Sequence, residues 1–305
     1  MATQRLVGGI VAHNEERRIG PAIRSLLSQE LPPGAEWQRI VVVASGCSDR
    51  TVEVARAVDP RVEVLEEADR RGKAAALGAV FGRSAGADLL VLLNGDALAL
   101  PGAVAELLRA AEGREGPWVA ISRPVPPDDR WGHFSDSIRL LWEIHNDFDA
   151  YIHDRGEAST ICDELLLLPV GDLPPMPEGI VNDGGFIGAW LNRGHHPLLY
   201  VPSSRVAIES ARRFRDHLTQ RRRIRFGHRQ VADLVGIPPM TWQRFALAHP
   251  AEALGFLRGV VRKKRGRYRL LLVLAAAEGA ALMLAMWDRI PPRRNHAVWL
   301  PLPEE

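Results

Sequence analysis

An α/β fold, with a mostly parallel central sheet flanked by helices, is what the sequence predicts, and three observations predict it. Short apolar runs alternate with stretches of helical apolar spacing over about the first 120 residues, the pattern of a sheet with right-handed crossovers. The run at 89–93 is unbroken by polar residues, as expected of a strand buried on both faces. Polar residues stand at the C-terminal ends of three such strands: Asn14 and Glu15, then Ser45, then Asn94 and Asp96. Parallel strands share that edge, and open α/β sheets bind ligands there, so sheet geometry gathers these residues into one cleft.

Residues 5–12 form the first predicted strand. Ile19, Ala22, Ile23, Leu26 and Leu27 follow at helical spacing, and Pro32, Pro33 and Gly34 end that helix. The second strand is 39–44, after which Ser48 or Asp49 caps a helix with Val52, Ala55 and Val58 on its apolar face. Residues 62–65 make a shorter strand, and Arg70, Arg71, Gly72 and Lys73 lead into an alanine-rich helix reaching Ala85. After the strand at 89–93, Pro101 opens a helix as a favoured first-turn residue, and 118–122 supplies another strand. The second half is less regular. Residues 131–154, carrying Trp142, His145, Asp147 and Asp149, read as a helix, and proline-rich turns follow around 169–177. Asn182 and Asp183 precede a helix start, 198–201 is a strand, and 270–287 is an apolar helix interrupted by Glu278.

Composition sets outer bounds. At 305 residues the chain can bury a substantial core, as one large domain or two packed closely. Its 46% hydrophobic and 25% charged residues are ordinary for a folded soluble protein. The net charge of +2 selects no partner, but arginines crowd the last third: Arg212, Arg213, Arg215, Arg221, Arg222, Arg223, Arg225 and Arg229, then the basic stretch at 258–269. A nucleic-acid partner is not expected. Cys47 and Cys162 lack metal-type spacing and are expected as free thiols in a reducing compartment. No charged and then apolar leader opens the chain, so a cytoplasmic protein is expected. The first strand–helix turn lacks GxGxxG, which excludes a dinucleotide-binding dehydrogenase. It also lacks a glycine-rich triphosphate loop with Arg and Lys, which disfavours a sugar nucleotidyltransferase.

Six segments, in order, resemble one family: VAHNEE at 11–16, VVVASGCSDRT at 41–51, RRGKAAALG at 70–78, LNGDALALP at 93–101, VNDGGF at 181–186 and QRRRIRFGH at 220–228. The pattern resembles the family 2 inverting glycosyltransferases, which have the GT-A nucleotide-diphospho-sugar fold. The arginine segment further resembles the QxxRW signature of the membrane-associated members. The resemblance implies transfer of a sugar from a nucleotide-diphospho-sugar donor to a hydroxyl acceptor (a glycan, a lipid-linked acceptor or a small molecule).

Roles follow from the same resemblance. Ala12, Asn14, Glu15 and Ser45 would surround the nucleoside, Glu15 as a carboxylate acceptor of hydrogen bonds. Lys73 would neutralise the diphosphate. Asp96, with Asn94, matches the family's DxD motif, whose last carboxylate holds Mg²⁺ or Mn²⁺ against the departing diphosphate. Gln220, Arg222 and Arg223 would close over that diphosphate, since guanidinium contacts phosphate bidentately, with Arg221 pointing elsewhere. His228 would approach the metal. Asp183 matches the catalytic carboxylate that takes the acceptor proton; the competing reading makes it a helix N-cap. Departures are Asn94 for the first Asp of DxD, Ala44 and Ser45 for an Asp pair, Asn182 where Glu is common, and Ile224 for the Trp of QxxRW. They keep open an alternative, a catalytically degenerate transferase serving as a nucleotide-sugar-binding or scaffold protein.

The expected organisation is a transferase domain at 1–230, with a nucleotide-binding half at 1–123 and an acceptor and catalytic half at 124–230. A helical C-terminal extension at 231–305 follows, membrane-interfacial or dimerising. For 270–287 three readings stand: a buried or homodimer-forming helix, a helix lying on the inner face of the cell membrane, or a true span. Glu278 at the centre makes a span costly, whereas the basic run at 262–265 suits an anionic leaflet.

Overall fold

Runs of valine, isoleucine and leucine build the sheet in a computed structural model that describes residues 3–126, 133–156, 161–211, 213–264 and 266–287. Trp131, Arg212 and Arg265, and the part of the C-terminal extension from 288 to 305, lie outside the described residues. The strands are β1 (Gln4–Ala12), β2 (Ala35–Ser45), β3 (Val62–Glu67), β4 (Leu89–Asn94), β5 (Leu98–Ala99), β6 (Val119–Val125), β7 (Leu165–Pro169) and β8 (Leu198–Ala207). The helices are α1 (Ile19–Leu27), α2 (Thr51–Arg56), α3 (Lys73–Arg83), α4 (Ala103–Ala110), α5 (His133–Asp154), α6 (Asp183–Arg193), α7 (Phe214–Val235), α8 (Trp242–Ala248), α9 (Pro250–Lys263) and α10 (Tyr268–Trp287). The GT-A-type architecture expected from the sequence is present: one eight-stranded sheet in the order β3-β2-β1-β4-β7-β6-β8-β5, flanked by helices and followed by a helical C-terminal part.

Both faces of the sheet are covered, which is why its strands read as continuous apolar runs. Leu6, Ile10, Ile40, Val42, Val91 and Leu93 pack with α1 and α4 residues such as Ile23 and Leu107 on one side. Val7, Val41, Val43, Leu90 and Leu92 pack with Val80 of α3 and Ile187 of α6 on the other. β1 pairs in parallel with β2 and with β4, Ala12 lying opposite Ala44 and Val11 opposite Asn94. The three polar strand ends therefore stand side by side, as the sequence predicts. The chain winds from β1 outward to β3 and then crosses to β4, so the β1–β4 crevice is the sheet's switch point.

Three features differ from the sequence expectation. β7, not among the strands expected from the sequence, runs antiparallel to β4 with Leu165 opposite Leu93. The backbone N–H of Asn94 donates to the Glu164 carbonyl at 3.1 Å, which puts Asp163 and Glu164 on the polar edge. Pro101 does not open α4, because 98–99 pairs with β8 and the helix starts two residues later at Ala103. Finally, 214–235 is one continuous helix whose arginines clasp α10. Arg221 and Arg225 each donate to Glu278 Oε2, at 3.0 and 2.9 Å, and His217 lies 3.6 Å from Oε1.

Burial opposes charge on Glu278, but the contacts from His217, Arg221 and Arg225 outweigh it and hold its carboxyl well below the usual range. Leu274, Ala277 and Ala281, at helical spacing, turn inward beside it. No helix of the described residues is long and apolar enough to cross a membrane, α10 included, so the spanning reading falls away.

α7 crosses the start of α6 at Gly227. A Cβ there would lie 2.6 Å from the Asn182 Cβ and 3.0 Å from its backbone nitrogen, too close for any side chain. Gly227→Ala is expected to destabilise the fold by about 1–3 kcal/mol, the usual scale of overpacking. Urea unfolding checks this as a lower midpoint with an unchanged slope.

Candidate functional site

The polar edge is built around Lys73, the first residue of α3. Its Nζ lies 2.9 Å from Asp183 Oδ2 and ion-pairs equally directly with Asp163. Asp183 opens α6, but the capping role belongs to Asn182, whose Oδ1 accepts from the Gly185 N–H at 2.7 Å. That frees the Asp183 carboxylate from the bland reading. Gly184 makes the approach workable: a Cβ there would meet the Ile161 carbonyl oxygen at 2.9 Å and Asp163 Cβ at 3.1 Å. A larger residue would push α6 away from the segment that carries Asp163.

Four carboxyls, Asp96, Asp163, Glu164 and Asp183, share this edge and act on one another's charge. Burial opposes the Lys73 charge, yet Asp163 and Asp183 hold its pKa above the ordinary lysine value. Burial also opposes ionisation of Asp163, but Lys73 and a hydrogen bond from Asp183 keep it below the usual range. Burial, then the Asp163 charge, push Asp183 up to about 6, Lys73 opposing. Burial and the Asp163 charge push Glu164 up to about 8, and its Oε2 has no hydrogen-bond partner among the described residues. Asp96 is raised by burial, with Lys73 and Arg18 pulling the other way. One lysine among four buried or half-buried carboxyls leaves an excess of oxygen donors, and that donor set fits a hard divalent cation such as Mg²⁺ or Mn²⁺.

Of the residues singled out in the sequence, Lys73 and Asp183 meet directly, and Asp96 lies within reach of the Lys73 charge. Arg223 joins from α7: burial lowers its pKa while the charges of Asp183 and Asp163 support it. Gln220 and Arg222 are half-buried on the same helix. His228 is pushed down to about 4 by burial, Arg221 and Arg225, so its imidazole is neutral at neutral pH. The β1–β2 side forms a second group. Ala12 is buried, and Asn14, at φ 54°, accepts from the Ser48 N–H at 2.8 Å. Glu15 pairs with Arg18 at 2.9 Å, and the buried Ser45 Oγ has no partner among the described residues. Asn94 ends β4 beside Asp96.

Sequence reasoning missed Asp163, Glu164, Arg18 and Arg70. Arg70 lies close enough to Arg223 for the two charges to interact. For the first two the sequence holds only half of the signal. Leu165–Leu168 is an apolar run like 89–93, but its polar residues precede it, and only the antiparallel direction of β7 brings them to this edge.

A family profile described as Glycosyl transferase family 2 matches residues 9–171. No curated protein matches the sequence. Among solved structures, the chain is similar to the mannosyltransferase PcManGT from Pyrobaculum calidifontis in complex with GDP-Man and Mn²⁺. The TM-score is 0.64 at 15% identity, covering 96% of this chain and 89% of that one. It is also similar to glucosyl-3-phosphoglycerate synthase from Mycobacterium tuberculosis in complex with Mn²⁺, UDP and phosphoglyceric acid. There the TM-score is 0.54 at 20% identity, covering 77% and 80%. At these identities the likeness is one of fold.

Lys73→Met removes the cation that favours the ionised form of Asp183, so the Asp183 pKa is expected to rise above its value of about 6. A carboxyl-carbon NMR titration of wild type and variant checks the direction.

Proposed function

The chain belongs to glycosyl transferase family 2, enzymes that use nucleotide-sugar donors, and from that premise we propose inverting transfer to a hydroxyl acceptor with Asp183 as the single base. One observation carries the reading: a carboxyl only 6% exposed, titrating at about 6, stands with Lys73, Asp96 and Arg223 at the switch point of the sheet. A base with that pKa is largely ionised at neutral pH and still accepts a proton in the transition state.

As the acceptor oxygen attacks the anomeric carbon, its proton passes to Asp183. The bond from that carbon to the diphosphate oxygen breaks on the opposite face, and configuration inverts. Lys73 and Arg223 offset the charge that grows on the leaving diphosphate, with Gln220 and Arg222 closing beside them. Mg²⁺ or Mn²⁺ held by Asp96 and the Asn94 amide oxygen would act as a Lewis acid on the same group; His228, three residues after Arg225 on the Glu278 side of α7, does not join them. Ala12, Asn14, Glu15 and the unpartnered Ser45 hydroxyl take the nucleoside. Residues 1–230 form the transferase domain in this reading, 1–123 binding the nucleotide and 124–230 the acceptor.

Incubation with UDP- and GDP-sugars plus Mn²⁺, read as nucleoside diphosphate release, tests the proposal. Asp183→Asn is expected to lose about 10²–10⁴-fold in transfer while keeping the thermal shift given by the donor. Asp96→Ala is expected to lose the Mn²⁺ dependence. The wild-type kcat/KM is expected to climb with pH through about 6, since Asp183 must be deprotonated to act. Turnover unchanged in both variants would remove Asp183 and Asp96 from the mechanism. Donor binding with no wild-type turnover would instead make the chain a nucleotide-sugar-binding or scaffold protein.

The extension at 231–305 supports a peripheral, membrane-proximal placement of the acceptor. Leu254, Leu257, Leu272, Met283 and Trp287 on α9 and α10 are exposed, and Arg258, Arg262 and Lys263 are exposed on α9. Apolar side chains beside basic ones suit an anionic lipid surface. Co-sedimentation with anionic but not zwitterionic vesicles, weakened by salt, is the expected outcome. A stable homodimer by light scattering, with no vesicle binding, would assign the face to a second copy of the chain.

A further inference from the structure

Away from Lys73, α5 carries a second convergence of polar side chains that the transfer chemistry does not use. His145 and Asp149, one helical turn apart, face Cys162 in the segment that leads into β7. His145 Nε2 lies 3.0 Å from Cys162 Sγ and 3.3 Å from Asp149 Oδ2, and Sγ lies 3.6 Å from Oδ2. Asp149 and Cys162 are buried, at 4% and 8% exposure, while the His145 side chain is 39% exposed. Cys162 is a free thiol.

Both neighbours address the same imidazole nitrogen. One ring nitrogen has one in-plane proton or one lone pair, so it cannot serve a thiol and a carboxylate as two ordinary hydrogen bonds. The arrangement is also wrong for a nucleophilic triad, in which the carboxylate orients the imidazole from the other nitrogen. A single ion at the centre of the three atoms satisfies all of them. Zinc bonds of about 2.0–2.3 Å at tetrahedral angles set ligand atoms roughly 3.3–3.6 Å apart. The observed 3.3 Å from Nε2 to Oδ2 and 3.6 Å from Sγ to Oδ2 match those edges, while the 3.0 Å from Nε2 to Sγ is shorter and would widen by about half an ångström around the ion.

We propose that His145, Asp149 and Cys162 form a site for a thiophilic divalent cation of the zinc type, with a fourth position reached past the exposed edge of His145. The thiolate selects Zn²⁺ over Mg²⁺ or Mn²⁺, which separates this site chemically from the carboxylates around Lys73. A thiolate and a carboxylate balance the charge of the ion, the imidazole staying neutral. Trp142 packs edge-on against the His145 ring, with centroids 5.3 Å apart and planes at 84°, and so limits its rotation. The occupied site ties α5 to the residue immediately before Asp163. Its role is to anchor the segment that presents Asp163 to Lys73.

The test uses the full chain with Zn²⁺ or Co²⁺ as the probe, in an Asp96→Ala background that silences the donor-side carboxylate. One Zn²⁺ per chain is expected. The Co²⁺ form is expected to show the intense visible bands of a tetrahedral ion and a thiolate-to-cobalt charge-transfer band. Cys162→Ser removes the charge-transfer band and weakens Zn²⁺ by more than about 100-fold, beyond the 10–100-fold typical of lost outer partners. Cys47→Ser leaves both signals intact. His145→Gln, at a partly exposed position, gives the same loss of affinity should Cys162→Ser fail to fold. A Co²⁺ spectrum without the thiolate band in the otherwise unaltered site overturns the proposal, as does Zn²⁺ affinity unchanged in His145→Gln.

Discussion

The polar edge depends on a single shared ammonium. Lys73 lies within salt-bridge reach of both Asp163 and Asp183, and its charge also reaches Asp96 and Glu164. Removing one partner from a buried ion pair costs about 3–5 kcal/mol, because the other charge is left uncompensated. Lys73 retains 26% side-chain exposure, so water softens that cost here. More consequential is how the lysine sorts the carboxyls. Asp163 is held ionised, Asp183 titrates at about 6, and Glu164, at about 8, stays protonated at neutral pH. Neighbouring titratable groups pushed apart in this way are how one site assigns separate acid and base roles.

Topology makes that sorting workable. Parallel strands β1, β2 and β4 bring their C-terminal ends to the edge, which accounts for Asn14, Ser45 and Asp96. They supply a single carboxylate close to Lys73. The remaining three come from segments that enter the edge the other way: Asp163 and Glu164 just before antiparallel β7, and Asp183 at the first turn of α6. The glycine after Asp183 lets that turn touch the backbone at Ile161, so the two groups meet without a side chain between them. Without the antiparallel direction of β7, Asp163 would not stand at this edge beside Lys73.

This explains what the sequence could and could not disclose. Strand ends in a parallel sheet are legible because their geometry is fixed once the apolar runs are recognised, and the edge of β1, β2 and β4 follows from the letters alone. Asp183 was legible through its resemblance to a family segment, and Asn182 as the cap was within reach, since Asn is a strong N-cap residue. Asp163 and Glu164 were not legible, because strand direction is a tertiary property and a short leucine run carries no arrow. The same holds for Glu278. Within 270–287 it reads as a fault in an apolar helix, and its partners, His217, Arg221 and Arg225, lie more than 50 residues away.

Those partners show how the arginine cluster is divided. Arg221 and Arg225 are four residues apart and lie on one face of α7, turned to Glu278. Arg223 is two residues from each, roughly 200° around a helix of 3.6 residues per turn, and so projects from the opposite face toward Asp183 and Asp163. A run of consecutive arginines on one helix thus serves two interfaces that face away from each other. Periodicity alone separates them, without any loop or break. The helical extension is bound to the rear of the element that carries Arg223, and a charge that would be costly in lipid becomes its point of attachment. Glu278 holds α10 in place because two guanidinium groups and an imidazole already wait on that face, which is why burial there leaves its carboxyl ionised rather than neutral.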